Sequence, residues 1–220
     1  MIEITNISKT YPSGRGIVKA LSNISLSTQK GATLAIAGKS GSGKTTLLNC
    51  LGGLERPDTG NVNCFGIDIH ALSKKQLSLF QRQHMGFVFQ FGNLLSFLTV
   101  NENIAFPLAL NKKEHKNRVA ELLEKVGLPE LSSAMPNELS GGEMQRIAFA
   151  RAIAHSPKML IADEPTANLD TSTANKLVKL MFSLAKEEQC TIVLSTHDRD
   201  LIKLADQTIY LLDGRETTDE

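Results

Sequence analysis

The feature best suited to chemistry is a glycine-rich run, Gly38-Lys39-Ser40-Gly41-Ser42-Gly43-Lys44-Thr45. It fits the phosphate-loop pattern G-x-x-x-x-G-K-[ST], in which glycines let backbone N–H groups turn inward around phosphate oxygens. Lys44 is placed to reach the β- and γ-phosphates of a nucleotide, and the Thr45 hydroxyl can ligate Mg²⁺. A turn that only caps a helix is disfavoured, because the pattern lies between a buried strand and a helix. A dinucleotide-binding G-x-G-x-x-G is excluded, because Thr46 stands where its third glycine is required.

Two consecutive carboxylates, Asp163 and Glu164, follow the short apolar run 159–162. A nucleotide-hydrolysing site with a phosphate loop also needs an acid at the end of a second buried strand. Asp163 is placed to hold Mg²⁺ through water, and Glu164 to orient or deprotonate an attacking water. The alternative is a solvated strand end with two surface acids. It is disfavoured beside a phosphate loop, because a buried strand ending in two carboxylates is costly without a cation nearby.

A second glycine motif precedes a strong helical pattern and has the sequence Leu139-Ser140-Gly141-Gly142-Glu143. Ser140 can cap the helix, with Glu143 as its capping-box partner. Two consecutive glycines weaken the start of a helix, but they make sense where the backbone must approach an anion closely. Taken in isolation, the segment is better explained as a merely capped helix.

Short apolar runs at 33–37, 159–162 and 192–194 predict strands that are buried on both faces. Helical patterns cover 44–52, 99–126, 141–151, 171–188 and 198–205, while the first 30 residues indicate strands. Alternation of strands and helices at both ends of the chain predicts a parallel sheet with helices on both faces. The helix-rich block at about 93–155 is predicted to be inserted between residues 1–92 and 156–220 of that core.

Composition limits the classes of function. The chain has 220 residues, with 24 Lys and Arg against 23 Asp and Glu, for a net charge of +1. This balance argues against a protein whose main task is to coat nucleic acid. No apolar run approaches the length of about 18 residues that a membrane helix requires, so we expect any membrane contact to pass through a partner chain.

Taken together, these motifs resemble the nucleotide-binding subunit of ABC transporters across nearly the full length of the chain. The Leu139–Glu143 motif is similar to the family's signature motif. The resemblance implies an α/β fold: a P-loop ATPase core with a mainly parallel sheet, an N-terminal antiparallel β-subdomain and an inserted α-helical subdomain. It also implies ATP and Mg²⁺ as cofactors and an ATPase reaction.

The resemblance assigns roles to residues that mean little alone. Tyr11 resembles the aromatic residue that stacks on adenine, with Val18 close by, and Gln90 resembles the glutamine that senses Mg²⁺ and the γ-phosphate. His197 resembles the switch histidine that hydrogen-bonds the γ-phosphate. The implied metal ligands are Thr45, Gln90 and Asp163. The segment Asn168-Leu169-Asp170 resembles the D-loop.

The resemblance also implies two partners. A second copy would pair head to tail, so that Ser140, Gly141 and Gly142 of one chain cover the γ-phosphate held by Lys44 of the other. The other implied partner is an integral membrane permease, which would bring the chain to the cytoplasmic face of the bacterial inner membrane. We expect part of the phenylalanine-rich segment 91–106 to form the groove for a short helix of that permease.

The segments 86–108 and 162–170 resemble one branch of the family, which contains lipoprotein-release, macrolide-export and FtsX-partnered cell-division ATPases. The alternative to a transport ATPase is a nucleotide-dependent scaffold that acts with an FtsX-like membrane protein. Glu164 and His197 favour turnover over a pure scaffold. ABC proteins that act on DNA or ribosomes are disfavoured, because they carry coiled-coil insertions or two cassettes, so no nucleic-acid partner is expected.

Overall fold

The structure, a computed structural model, describes residues 1–14, 16–113 and 116–218. Within them, strands lie at β1 Ile2–Ser13, β2 Gly16–Thr28, β3 Thr33–Ala37, β4 Thr59–Cys64, β5 Ile67–Asp68, β6 Met85–Val88, β7 Met159–Asp163, β8 Thr191–Thr196, β9 Gln207–Leu212 and β10 Arg215–Thr217. Helices lie at α1 Lys44–Leu51, α2 Lys74–His84, α3 Val100–Leu110, α4 Lys116–Lys125, α5 Gly141–Ile153, α6 Thr171–Glu187 and α7 Arg199–Leu204. Two short 3₁₀ turns, Pro129–Leu131 and Pro136–Glu138, precede α5.

The strands form two sheets. A six-stranded sheet has the order β10-β9-β3-β8-β7-β6, and its pairs are parallel except for the β9–β10 hairpin. A four-stranded sheet, ordered β2-β1-β4-β5, is antiparallel throughout. Together with the helices, this arrangement confirms the predicted α/β class with a mainly parallel core sheet and an N-terminal antiparallel sheet.

The central strands are buried on both faces, as their continuous apolar runs predict. On β3, Leu34 and Ile36 pack into a cluster shared with the antiparallel sheet and α1, whereas Ala35 packs into a second cluster formed with α3–α6. On β8, Val193 joins the first cluster and its neighbours join the second. Because successive side chains of a strand point to opposite faces, the core sheet separates the two clusters.

The helical pattern over 99–126 is two helices rather than one. The helix α3 begins at a capping box between Thr99 and Glu102 and ends at Leu110. The chain then turns, with Lys112 at a left-handed φ of 55°, before α4 begins at Lys116. The prediction of one stretch fails because Asn111 ends α3 by donating its side-chain amide to the carbonyl of Pro107. The bounds 93–155 for the helical subdomain stay a prediction.

Several elements were not predicted from the sequence. The helix α2 is mostly polar: Phe80 is its one buried residue and Leu77 packs against the same cluster, while Ser73 and Gln76 form a complete capping box at its start. The hairpin of β9 and β10 was also missed. The three cysteines, Cys50, Cys64 and Cys190, are free and buried.

One buried histidine joins α5 to the edge of the core sheet. His155 is 4% exposed, and its Nε2 lies 3.1 Å from the carbonyl oxygen of Met85 at the start of β6. Its Nδ1 has no hydrogen-bond partner among the described residues. Burial is the main cause that lowers the pKa of His155 from 6.5 to about 4, so the ring is neutral at physiological pH.

This depressed pKa predicts a pH dependence of stability. The unfolded chain takes up a proton at His155 near pH 6.5 and the folded chain near pH 4, so the free energy of unfolding should fall as pH drops through that window. The contribution lost is about 3 kcal/mol. When urea unfolding is measured between pH 7 and 4, the free energy of unfolding should change less steeply with pH for His155→Gln than for the wild type. The matched variant His70→Gln removes a half-buried histidine and should alter this pH dependence less. The same pH dependence in the wild type and His155→Gln would contradict the role assigned to His155.

Candidate nucleotide site

The phosphate loop joins the end of β3 to the start of α1, near the middle of the core sheet. Gly43 is the N-cap of α1 with a left-handed φ of 106°, and no side chain in the described part of the chain caps this helix start. The helix therefore presents its partial positive charge toward the loop. Ser42 is buried, and its hydroxyl has no hydrogen-bond partner among the described residues. An uncapped helix start under a glycine loop suits an anionic ligand.

Lys44, at the first position of α1, is buried to 6% exposure. Its ammonium group donates to the carbonyl oxygens of Gly38 at 2.8 Å and Lys39 at 3.1 Å. The same nitrogen lies 3.3 Å from Oε1 of Glu164. These partners satisfy a buried cation and hold it at the floor of the loop, where it can exchange a protein carboxylate for a phosphate.

The two carboxylates after β7 lie opposite the loop. Asp163 accepts a hydrogen bond from the Thr45 hydroxyl at 2.9 Å through Oδ2 and one from the Ser195 hydroxyl at 2.5 Å through Oδ1. Oε2 of Glu164 lies 2.8 Å from Nδ1 of His197. Since β3, β8 and β7 are parallel neighbours, their carboxyl ends meet at one edge and bring these side chains together.

A cavity of about 760 Å³ opens above this edge of the sheet. It is lined by the phosphate loop, by Gln90, Glu164 and His197, and by Val18 from β2. Its size lies within the range of small-molecule and cofactor sites. The structure thus gathers most residues expected at the phosphate end of a nucleotide around one cavity.

Tyr11 does not line this cavity but lies beside it. It pairs with Val18 across the β1–β2 ladder, and directly paired residues share one face of an antiparallel sheet. Lys9 extends over the Tyr11 ring at 5.4 Å from the centroid and forms an ion pair with Glu55 at 2.6 Å. The aromatic ring therefore lies at the rim of the cavity, next to a residue that lines it.

Gln90 follows β6 in a segment that is hydrogen-bonded by side chains of α5. The Gln145 amide donates to the carbonyl of Phe89 at 3.0 Å, and the Arg151 guanidinium donates to the carbonyls of Gly92 at 2.9 Å and Asn93 at 2.8 Å. On the other side, the Asn168 amide donates to the Gln90 carbonyl at 3.0 Å. The position of Gln90 therefore depends on both α5 and the segment that precedes α6.

The glycine motif at the start of α5 does not reach the cavity of its own chain. The predicted capping box is confirmed: the Ser140 side chain accepts from the Glu143 N–H, and Glu143 accepts from the Ser140 N–H at 2.8 Å. Hydrogen bonds from Ser140 lower the pKa of Glu143. A Cβ added to Gly142 would lie 3.0 Å from Thr173 of α6 and 3.8 Å from Leu169, so this motif packs beside the predicted D-loop.

Within that D-loop, Asp170 caps α6. Its Oδ1 accepts from the N–H groups of Ser172 at 3.0 Å and Thr173 at 3.1 Å. Hydrogen bonds from Thr173 hold the pKa of Asp170 below its ordinary value. The cap gives Asp170 a structural role whether or not it meets a second chain.

Sequence reasoning missed three residues that position this site: Ser195, Gln145 and Arg151. Ser195 lies inside an apolar strand, where a small hydroxyl carries no pattern. Gln145 and Arg151 fall six residues apart on α5, and only the fold shows that both face the segment carrying Gln90. A polar residue on the buried side of a helix was the one available signal, since Gln145 is 4% exposed.

Comparison with known proteins decides the family. A family model described as ABC transporter matches residues 21–167. The chain belongs to the ABC transporter family. The lipoprotein-releasing system ATP-binding protein LolD of Cytophaga hutchinsonii is 43% identical over 97% of both chains. An uncharacterized ABC transporter ATP-binding protein of Methanocaldococcus jannaschii, MJ0796, is 39% identical over all of this chain and 97% of its own length.

Solved structures agree with this assignment. A dimeric structure of the MJ0796 cassette matches with a TM-score of 0.91 and 38% identity, covering 99% of this chain and 98% of that chain. A second dimeric structure, of a post-hydrolysis state bound to ADP and Pi, also matches with a TM-score of 0.91, at 37% identity. The chain is therefore an ATP-binding, ATP-hydrolysing subunit of this family. Among the residues that the structure describes, no helix is long and apolar enough to cross a membrane.

The geometry of the phosphate loop predicts a difference between two glycines of this ABC ATPase. At Gly43, an added Cβ would lie 2.4 Å from the carbonyl oxygen of Ala20, and φ is 106°. At Gly41, φ is 81° but the space is open. Gly43→Ala should lower the free energy of unfolding by about 2 kcal/mol or more and abolish binding of fluorescent ATP. Gly41→Ala should lower the free energy of unfolding by only about 1 kcal/mol. Equal losses in urea unfolding and ATP binding would refute this reading of the loop.

Proposed function

We propose that this chain hydrolyses ATP at Lys44, Asp163, Glu164 and His197, in a site that is completed by a second copy of the chain. The observation that carries the proposal is the contact of Glu164 with both Lys44, at 3.3 Å, and His197, at 2.8 Å, in the same cavity as the phosphate loop. A carboxylate between a phosphate-binding lysine and a histidine is placed to act on water beside the terminal phosphate.

Binding of the triphosphate rests on the loop. Backbone N–H groups of residues 38–46 and the open start of α1 would cradle the phosphates, and Lys44 would leave Glu164 to pair with phosphate oxygens. Tyr11 and Val18 would support the adenine at the rim. The exchange of partners at Lys44 frees the Glu164 carboxylate for the attacking water, while His197 keeps a hydrogen-bonding contact with Glu164 and can reach the γ-phosphate.

The oxygen donors of Thr45 and Asp163 suit Mg²⁺, which keeps several waters and takes few protein ligands. Their oxygens lie 2.9 Å apart and face the loop, so both can meet one ion. Gln90, on the same cavity, would contribute its side-chain oxygen. When bound, Mg²⁺ would neutralise charge on the phosphates.

A second copy would supply what the cavity lacks. The glycine pair Gly141 and Gly142 lies outside its own chain's cavity, and a Cβ added to Gly141 meets nothing within 4 Å. The open space at Gly141, at the start of a helix, is what the close approach of an anion held by another chain would require. The dimeric cassette structures support this pairing. ATP would join the two chains, with Leu139 to Glu143 and the D-loop of each against the phosphate end of the other, and hydrolysis would release them.

A membrane permease would be driven by the joining and release of the two chains. The similarity to LolD proteins, including one of Bacteroides fragilis at 42% identity, supports a permease of the lipoprotein-release type, in the branch shared with macrolide exporters and FtsX. The chain would then lie on the cytoplasmic face of the inner membrane. The exposed rings of Phe91 and Phe97, at 70% and 74% exposure, follow Gln90 in the chain and would give an apolar surface for a permease helix.

The role of Glu164 predicts the behaviour of Glu164→Gln. The amide keeps the size of the side chain but cannot take a proton from water, so the rate of phosphate release should fall by about 100-fold or more. ATP binding should persist, and light scattering after size-exclusion chromatography should show an ATP-dependent dimer. As a control, Lys44→Ala should lose ATP binding itself. Unchanged phosphate release by Glu164→Gln would remove Glu164 from the reaction.

The permease surface predicts the effect of a charge at Phe97. Phe97→Glu should abolish co-purification with the membrane subunit, because a carboxylate would be buried against an apolar helix. Unfolding and ATP hydrolysis of the isolated chain should not change, since the ring is 74% exposed. Leu204→Glu places the same charge on another exposed apolar side chain, in α7, and serves as the control. Full co-purification by Phe97→Glu would show that the permease docks elsewhere.

A further inference from the structure

We infer that Ser195 is a positioning residue that sets the orientation of both carboxylates of the ATP site. The inference rests on the proposed roles of Asp163 and Glu164. Ser195 lies on β8, next to Asp163 in the parallel ladder, and its side chain is fully buried. It does not line the nucleotide cavity, so it acts on the reaction only through the two acids.

The hydrogen bonds of Ser195 have one consistent direction. The backbone N–H of Glu164 can only donate, and it lies 2.9 Å from Oγ of Ser195. The hydroxyl proton is therefore free to be donated to Oδ1 of Asp163, at 2.5 Å. A single hydroxyl thus accepts from one catalytic-site residue and donates to its neighbour.

At Asp163 this bond fixes the plane of the carboxylate. Oδ1 is occupied by Ser195 and Oδ2 by the hydroxyl of Thr45, at 2.9 Å on the opposite side. With one oxygen held from behind, the other is aimed at the phosphate loop, where the metal would bind. Without Ser195, only the bond from Thr45 restrains rotation of the carboxylate about its Cβ–Cγ bond, a torsion with a broad energy profile.

At Glu164 the same hydroxyl holds an unusual backbone. Glu164 has a φ of +46°, in the left-handed region that non-glycine residues rarely adopt. The bond from its N–H to Ser195 satisfies the backbone in that conformation. This backbone directs the side chain so that Oε1 faces Lys44 and Oε2 faces His197. Strained backbone at such a position is expected where geometry matters for function.

Substitution of Ser195 tests this inference directly. Ser195→Ala should lower kcat for ATP hydrolysis by about 10- to 100-fold, with KM for ATP within about threefold of the wild type, because the acids are misplaced while the phosphate loop is intact. Ser195→Thr keeps the hydroxyl and should recover most of kcat, whereas Ser195→Cys, a weak donor of similar size, should not.

A binding readout separates positioning from turnover. In Ser195→Ala, the affinity for fluorescent ATP measured in EDTA should equal that of the wild type. The gain in affinity on adding Mg²⁺ should shrink, and half-saturation should need a higher Mg²⁺ concentration. Ser195→Thr should restore the wild-type Mg²⁺ response.

A matched control lies on the same strand. Thr191 is also fully buried, and its hydroxyl accepts from the N–H of Gly31 at 2.9 Å, at the far end of β8. Thr191→Val should reduce the stability of the fold but leave kcat and the Mg²⁺ response unchanged. The inference is overturned if Ser195→Ala hydrolyses ATP within twofold of the wild-type rate, or if Thr191→Val gives the same loss. Normal turnover by Glu164→Gln would instead refute the proposed function, so the two failures are distinguishable.

Discussion

A buried positive charge organises this molecule. Lys44 is almost inaccessible to water, and its ammonium must always have oxygen partners, which are the carbonyls of Gly38 and Lys39 and the carboxylate of Glu164. The order of the core sheet meets this need, since β3, β8 and β7 are neighbours and bring the loop, His197 and the two acids to one edge. An incoming phosphate competes for the same cation that Glu164 holds. Binding of the phosphate and release of Glu164 are thereby linked through one ion pair.

The rest of the fold connects this edge to surfaces where other chains would act. The helix α5 begins at the glycine motif and, further along, grips the segment that carries Gln90 through Gln145 and Arg151. The segment before α6 holds Gln90 from the other side through Asn168. A movement of α5 must therefore move the segment next to the exposed rings of Phe91 and Phe97. In the proposed complex, these direct hydrogen bonds would give a physical route between the nucleotide and a permease.

Much of this arrangement could be predicted from the sequence, and particular residues show why. The runs around Leu34, Ile161 and Val193 are apolar without alternation, which is typical of strands buried on both faces, and glycine spacing identified the phosphate loop. The break between α3 and α4 was not predicted, because a local bond from Asn111 to Pro107 ends α3 within a continuous helical pattern. The role of Ser195 could not be predicted, because it depends on the residue next to it on the neighbouring strand. That neighbour is decided by the strand order.

The central claim is that each ATP site is shared between two copies, with Lys44 from one and Ser140 from the other. It is tested most directly by mixing two variants, Lys44→Ala and Ser140→Arg, each of which should be inactive alone. In a mixed dimer, one site combines the intact Lys44 of one chain with the intact Ser140 of the other. The account predicts that an equal mixture recovers roughly a quarter of the wild-type rate of phosphate release, since half of the randomly formed dimers carry one intact site of two. A mixture no more active than its separate components would contradict it.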